Sequence, residues 1–144
     1  MQLNNRAALV TGGGSGLGAA TARALSSAGA KVAVLDLNID TATAVAKEIG
    51  GMGISCDVTS AESMENAIFK AQEAQGCAQI LINCAGVGTP GKAVGHAGPL
   101  PLHIFSQVIK INLIGTFNAT RLVASEIKKT ILDTGDEECG VIIN

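Results

Sequence analysis

The sequence predicts an α/β domain with a doubly wound parallel sheet, and three observations carry that prediction. Short apolar runs alternate with longer stretches of helical period along the chain, the pattern of stacked β-α-β units. The first run, Ala7 to Thr11, passes into the glycine-rich stretch Thr11 to Gly18 and then into an alanine-rich helical pattern, which reads as strand, tight turn and helix. The second run ends on an acid, Asp36.

Strands are expected at Ala7–Thr11, Lys31–Asp36, Gly53–Asp57, Gln79–Ala85 and Gly140–Asn144, each an apolar or β-branched run of the length a buried parallel strand needs. Their expected order across the sheet is third, second, first, fourth, fifth. Leu17, Ala20, Ala24, Leu25 and Ala28 recur at helical spacing and stop at Gly29, a suitable C-terminal cap. A second helix is read over Thr41–Ile49 and a third over Ala61–Gln75. Glycines and prolines make Val87 to Pro101 a loop. From Leu102 a long helix runs to about Thr130, with Phe105, Val108, Asn112, Gly115, Ala119 and Leu122 on one face. Asp133, Asp136, Glu137 and Glu138 read as a solvated loop before the fifth strand.

Composition narrows the functional classes. At 144 residues the length suits one domain. Hydrophobic residues make up 47%, yet no apolar run approaches the roughly 18 residues that span a bilayer. A formal charge of -2 offers no basic field for nucleic acid or for an anionic membrane surface, so neither is expected as a partner. Cys56, Cys77, Cys84 and Cys139 show no metal-type spacing, so they read as reduced thiols and no metal is expected. His96 and His103 read as surface residues, and Cys84 as packed. The first residues carry no signal pattern; the expected compartment is the cytoplasm, or the mitochondrial matrix if the source is eukaryotic.

The glycine turn is where chemistry enters. The first turn of a helix leaves backbone N–H groups unpaired at the positive end of the helix dipole, a ready site for a diphosphate. Gly12 suits a positive φ, Gly16 lets the backbone approach a phosphate with no Cβ in the way, and Gly18 lets helix and strand pack closely. Asp36 stands about twenty residues after Gly16, where the dinucleotide fingerprint places an acid on the adenosine ribose hydroxyls. That carboxylate would repel a 2′-phosphate, and no Lys or Arg lies between Thr11 and Ala22 or directly after Asp36. The expected cofactor is therefore NAD rather than NADP. The alternative is that the glycines only form a turn and Asp36 only caps the next helix. A P-loop is set aside because no Lys follows the glycines.

With these residues in register, the chain resembles the short-chain dehydrogenase/reductase family from residue 6 to its end. Thr11, Gly12, Gly16 and Gly18 match the family's TGxxxGxG. Asn83, Cys84, Ala85 and Gly86 stand at its NNAG stretch, Asp57 and Val58 at its Asp-Val pair, and Asn112, in INLIGTFN, at its helix asparagine. Within the family VTGGGSGLG, LDLN, NCAG and GTFN with RLVA are most similar to the type II 3-hydroxyacyl-CoA dehydrogenase group. The resemblance implies a Rossmann-type doubly wound parallel sheet, here truncated after strand five, with residues 1–144 as the dinucleotide-binding portion of a single domain. It places Asp57 on the adenine amino group and the backbone near Cys84 along the adenosine. It also makes Asn112 the holder of a water in a proton relay with Ser, Tyr and Lys.

The expected cofactor-binding residues are thus Gly12, Ser15, Gly16, Leu17, Gly18, Asp36, Asp57, Val58, Asn83, Cys84, Ala85 and Gly86, and the expected catalytic residue is Asn112. Asn112 read alone would be a buried polar residue bonded to backbone, Asn83 a tie between strands, and Asp57 a turn residue. The chain contains no tyrosine, and the family's Ser and YxxxK would follow the fifth strand. The expectation is an NAD-dependent oxidoreductase that interconverts a secondary alcohol and a ketone, with a hydroxyacyl-CoA as the leading substrate. It would be part of a polypeptide of about 250 residues, homo-oligomeric when complete, with these 144 residues inactive and aggregation-prone by themselves. The alternative is a non-catalytic dinucleotide-binding or regulatory module.

Overall fold

A computed structural model describes residues 2–96, 98–134 and 140–144. Strand β1 (Ala7–Thr11) leads through the glycine turn into helix α1 (Gly16–Ser27), followed by β2 (Lys31–Asp36), α2 (Ile39–Ile49), β3 (Met52–Ser55), α3 (Ala61–Gln75) and β4 (Ile80–Asn83). A short hairpin, β5 (Val94–Gly95) and β6 (Gly98–Pro99), precedes α4 (Leu102–Ile109). A π-helical turn over Lys110–Gly115 joins α4 to α5 (Thr116–Thr134), and β7 (Val141–Ile143) closes the described chain. The main sheet is parallel, in the order β3-β2-β1-β4-β7, as the sequence predicts.

Alternation along the strands divides the core into two layers. Ala8, Val10, Val32, Val34, Ile80 and Ile82 pack with Ala19, Ala22, Val45 and Ala46 of α1 and α2. Leu9, Leu35, Ile54 and Leu81 pack on the other face with Met64, Ile68, Ala119 and Val123 of α3 and α5. Such a sheet, covered on both faces, needs apolar residues at every strand position, and β1 is buried along its whole length.

The helix ends follow from local chemistry. After α1, Gly29 takes φ +89, and the Ala30 N–H donates to Leu25 O while the Gly29 N–H donates to Ser26 O, a paired C-terminal closure that needs a left-handed residue. Helix α2 starts earlier than expected, because the Asn38 side chain accepts from the N–H groups of Asp40 and Thr41. Asp36 is therefore not the cap of that helix.

Other boundaries move as well. Strand β3 stops at Ser55 and β4 at Asn83, so Cys56, Asp57, Cys84 and Ala85 lie just past the strand ends, where the chain turns out of the sheet. The expected loop from Val87 contains the β5–β6 hairpin. The long helix continues to Thr134 and makes Asp133 helical; Asp136, Glu137, Glu138 and Cys139 lie outside the described residues. The π turn breaks the expected apolar face: Ala119 is fully buried, whereas Phe105 is 54% exposed. Each residue of an α-helix turns the face by about 100°, so one extra residue in a turn rotates everything before Lys110 away from the line of Ala119.

Candidate functional site

Thr11, Asp36 and Asn83 end three neighbouring parallel strands. In register, Thr11 pairs with Leu35 of β2 and with Asn83 of β4. The chain reverses its direction of travel across the sheet between β1 and β4, and in open α/β sheets the crevice at that switch point, at the carboxyl ends of the strands, is where ligands bind. A cavity of about 450 Å³ lies there.

Gly12, Ser15, Gly16, Leu17 and Gly18 form its floor. Gly12 has φ +62 and Gly16 φ +50, conformations that L side chains avoid. At Gly12 an added Cβ would lie 2.7 Å from the Ala85 backbone, at Gly18 it would strike Gly12 O, and at Gly16 it would meet nothing within 4 Å. Gly12 and Gly18 therefore allow close packing within the protein, and Gly16 opens towards the cavity. The α1 N-terminus carries no acidic residue in its first turn, and Ser15 makes no side-chain cap bond. Its partial positive charge is left for a ligand to answer.

The Asp36 carboxylate sits on the next wall. It accepts from the Gly14 N–H at 2.9 Å through one oxygen and from the Asn38 N–H at 3.0 Å through the other, so it is pinned to the glycine turn. Asp57 lies further along; its Oδ1 accepts from the Thr59 N–H at 2.9 Å and from the Thr59 hydroxyl at 2.8 Å, the turn bonding that the plainer reading of Asp57 foresees. Val58, Cys84, Ala85 and Gly86 also line the cavity. Among the described residues no lysine or arginine lines the cavity.

Asn83 is not brought to this wall. Its amide accepts from the Thr11 hydroxyl at 3.4 Å and donates to Thr120 Oγ1 at 3.4 Å and to Asn144 Oδ1 at 2.8 Å, tying β1, β4, α5 and the end of β7. Thr11, fully buried, also accepts from the Ala85 N–H at 3.2 Å and so joins the glycine turn to the Cys84–Gly86 wall. Asn112 sits in the π turn, exposed rather than buried, and forms a reciprocal pair with Val87: it accepts from the Val87 N–H and donates to Val87 O, each at 2.9 Å. That uses one donor and one acceptor of an amide that has two of each.

Sequence reasoning missed Leu37, Cys56, Val87 and Ile111, which also line the cavity. Leu37 could have been found as the apolar residue beside the expected ribose acid; the others carry no separate signal. Burial pushes the Cys56 thiol from 9.0 up to about 11, with the Asp57 charge adding to the rise and a hydrogen bond to Ser63 opposing it. Because the folded state then holds a proton that the unfolded chain gives up, stability is full below about pH 9 and falls as pH rises towards 11. Cys56→Ala should flatten that limb of a stability profile followed by chemical denaturation. His96 and His103 are exposed.

The sheet order and the crevice at its switch point define a Rossmann-type α/β protein. The chain belongs to the short chain dehydrogenase family, whose sequence profile it matches over residues 6–144. It is 41% identical over 144 residues to 3-hydroxyacyl-CoA dehydrogenase type-2 of Bos taurus, an alignment covering 95% of this chain and 54% of that protein. It is 36% identical over 148 residues to D-threitol dehydrogenase of Mycolicibacterium smegmatis, covering 99% and 53%. Among solved structures it resembles 3-ketoacyl-(acyl-carrier-protein) reductase from Brucella melitensis complexed with NADH, with a TM-score of 0.87 and 29% identity, over 97% of this chain and 56% of that one. The chain thus spans about half the length of the curated relatives it matches. No described helix is long and apolar enough to cross a membrane.

Proposed function

We propose that the chain is the cofactor-binding portion of an NAD-dependent oxidoreductase that interconverts a secondary alcohol and a ketone, with a 3-hydroxyacyl-CoA as substrate. The observation that carries NAD is the Asp36 carboxylate, fixed on the cavity wall by the Gly14 and Asn38 N–H groups, with no lysine or arginine lining that cavity among the described residues. The residues present fit a dinucleotide: an unneutralised helix N-terminus and an open Gly16 for the diphosphate, Asp36 for the ribose hydroxyls, and Asp57 with Val58 for the adenine. The relatives named 3-hydroxyacyl-CoA dehydrogenase support the substrate class.

When bound, the nicotinamide accepts or returns the hydride, chemistry that belongs to the cofactor. This chain's residues bind and orient it. Asn112 fixes Val87 and, with the second donor and acceptor of its amide, holds a water in the proton relay. Ser, Tyr and Lys of that relay belong to the polypeptide that follows strand β7. A polypeptide ending at Asn144 should therefore bind NADH without turning over, and turnover by it would overturn this division of labour. It should also associate, because β7 pairs only with β4 among the described residues and Ile143 is 52% exposed, an open apolar edge. For the full-length protein we expect a homo-oligomer: Leu102, Phe105, Leu113, Ile114 and Phe117 are exposed along α4, the π turn and α5.

Calorimetric titration of the full-length protein with NADH and NADPH tests the cofactor, with binding at least about tenfold tighter for NADH expected. Equal affinities would reject NAD selection. Oxidation of 3-hydroxybutyryl-CoA tests the substrate class, and activity on D-threitol alone would replace it. Cofactor binding with no oxidation of either would favour a regulatory module.

A further inference from the structure

Asn118, on α5, is a buried polar residue, 6% exposed; it closes the INLIGTFN stretch, but the cofactor reading gives it no role. Its Nδ2 donates to Val58 O at 2.9 Å and to Ser60 O at 3.2 Å, and its Oδ1 accepts from Arg121 Nε at 3.1 Å and Nη2 at 2.8 Å. Two donors and two acceptors are the full capacity of the amide, so the group is saturated. Its orientation is also determined, since a flipped amide would set oxygen against two carbonyls and NH2 against a guanidinium that only donates. Arg121 in turn reaches Glu65 of α3 at 3.9 Å.

What Asn118 grips is the turn that leaves the sheet after β3. The Cys56 N–H still donates to Asp36 O at 2.9 Å; beyond it the chain departs from β2, and Asp57 and Val58 enter the cavity wall. Gly115, in the π turn, completes the grip, because a Cβ there would lie 2.6 Å from Val58 Cγ2. The helix thus meets Val58 with bare backbone one turn before Asn118 takes hold of the carbonyls.

We propose that Asn118 is a positioning residue for the adenine-side wall: oriented by Arg121, it fixes the Asp57–Ser60 turn and thereby sets affinity for the adenine nucleotide half of the cofactor. The proposal rests on the dinucleotide reading above. Replacing Asn118 by leucine removes the donors of the buried Val58 carbonyl and the half-buried Ser60 carbonyl, which must then move towards water, carrying Val58 and Asp57 with them. Replacing Gly115 by alanine moves the same wall by another route, through the Val58 side chain, and improves helix propensity.

The test is titration of the full-length protein with ADP and with NADH, well below its melting temperature, for Asn118→Leu and Gly115→Ala. Asn118→Leu should weaken ADP and NADH by the same factor, about tenfold, and Gly115→Ala both by about threefold. In turnover the rise should fall on KM for the dinucleotide rather than on kcat, a split that general destabilisation would not produce. If ADP binds both variants within about twofold of the unsubstituted protein, or if only NADH weakens, the proposal is overturned while the dinucleotide reading stands. If the unsubstituted protein binds neither nucleotide, that reading falls and this one with it.

Discussion

Gly16→Val should abolish dinucleotide binding while leaving a cooperatively folding protein. The space a Cβ would enter at Gly16 is empty to 4 Å, so the new Cβ strikes no protein atom, and the branches beyond it are expected to fill the space assigned to the diphosphate. Losing two charge-assisted hydrogen bonds from the helix N-terminus weakens binding by about a hundredfold or more. The positive φ of +50 at Gly16 adds about 1–3 kcal/mol of backbone strain, visible as a modest fall in melting temperature. Gly18→Ala is the contrasting case. There the Cβ would strike Gly12 O and come within 2.9 Å of Gly13 Cα, so binding should be lost together with the fold of the turn. Retained NADH affinity in a folded Gly16→Val protein would remove the diphosphate from this place.

The double substitution Asp36→Ala with Leu37→Arg should shift the NADH to NADPH affinity ratio on the order of a hundredfold towards NADPH. Asp36 is expected to refuse the 2′-phosphate by charge, and an arginine at the 74% exposed Leu37 would attract it. Total affinity should fall as well, because the carboxylate that accepts from the Gly14 N–H also steadies the glycine turn. The ratio is therefore the proper readout. An unchanged ratio from paired titrations would mean that selection lies elsewhere on the wall.

Much of this architecture could be read from the sequence because buried parallel strands are simple objects: Ala7–Val10 and Val32–Leu35 are unbroken apolar runs, and the bounds Ala7–Thr11 and Lys31–Asp36 did not move. The glycine turn was legible for a related reason, since Gly12 at φ +62 and the close approach of Gly18 to Gly12 O are demands that few residues other than glycine meet. What escaped was whatever leaves no periodic trace. Two-residue strands such as Val94–Gly95 and Gly98–Pro99 have no alternation to detect, and a π turn changes no composition, so Phe105 and Ala119 were expected on one face. Asn83 and Asn118 show the same limit in the site. The motif draws attention to Asn83, whose side chain ties strands, whereas Asn118 acquires its role from Val58, far away in sequence, and only the tertiary structure brings the two together.

The π turn at Lys110–Gly115 has a consequence for how this chain tolerates change in length. It is a helix carrying one residue too many, and shortening it by one, for example by deleting Leu113, would let α4 and α5 merge into one uninterrupted α-helix with better backbone geometry. The same deletion would turn Asn112 by about 100° and shift it by about 1.5 Å relative to α5, pulling it off the Val87 backbone. One missing codon would thus produce a sturdier helix and a misaligned Asn112, disordering the proposed proton relay, a trade of alignment for stability that heat-resistance selection would favour and selection for turnover would reject.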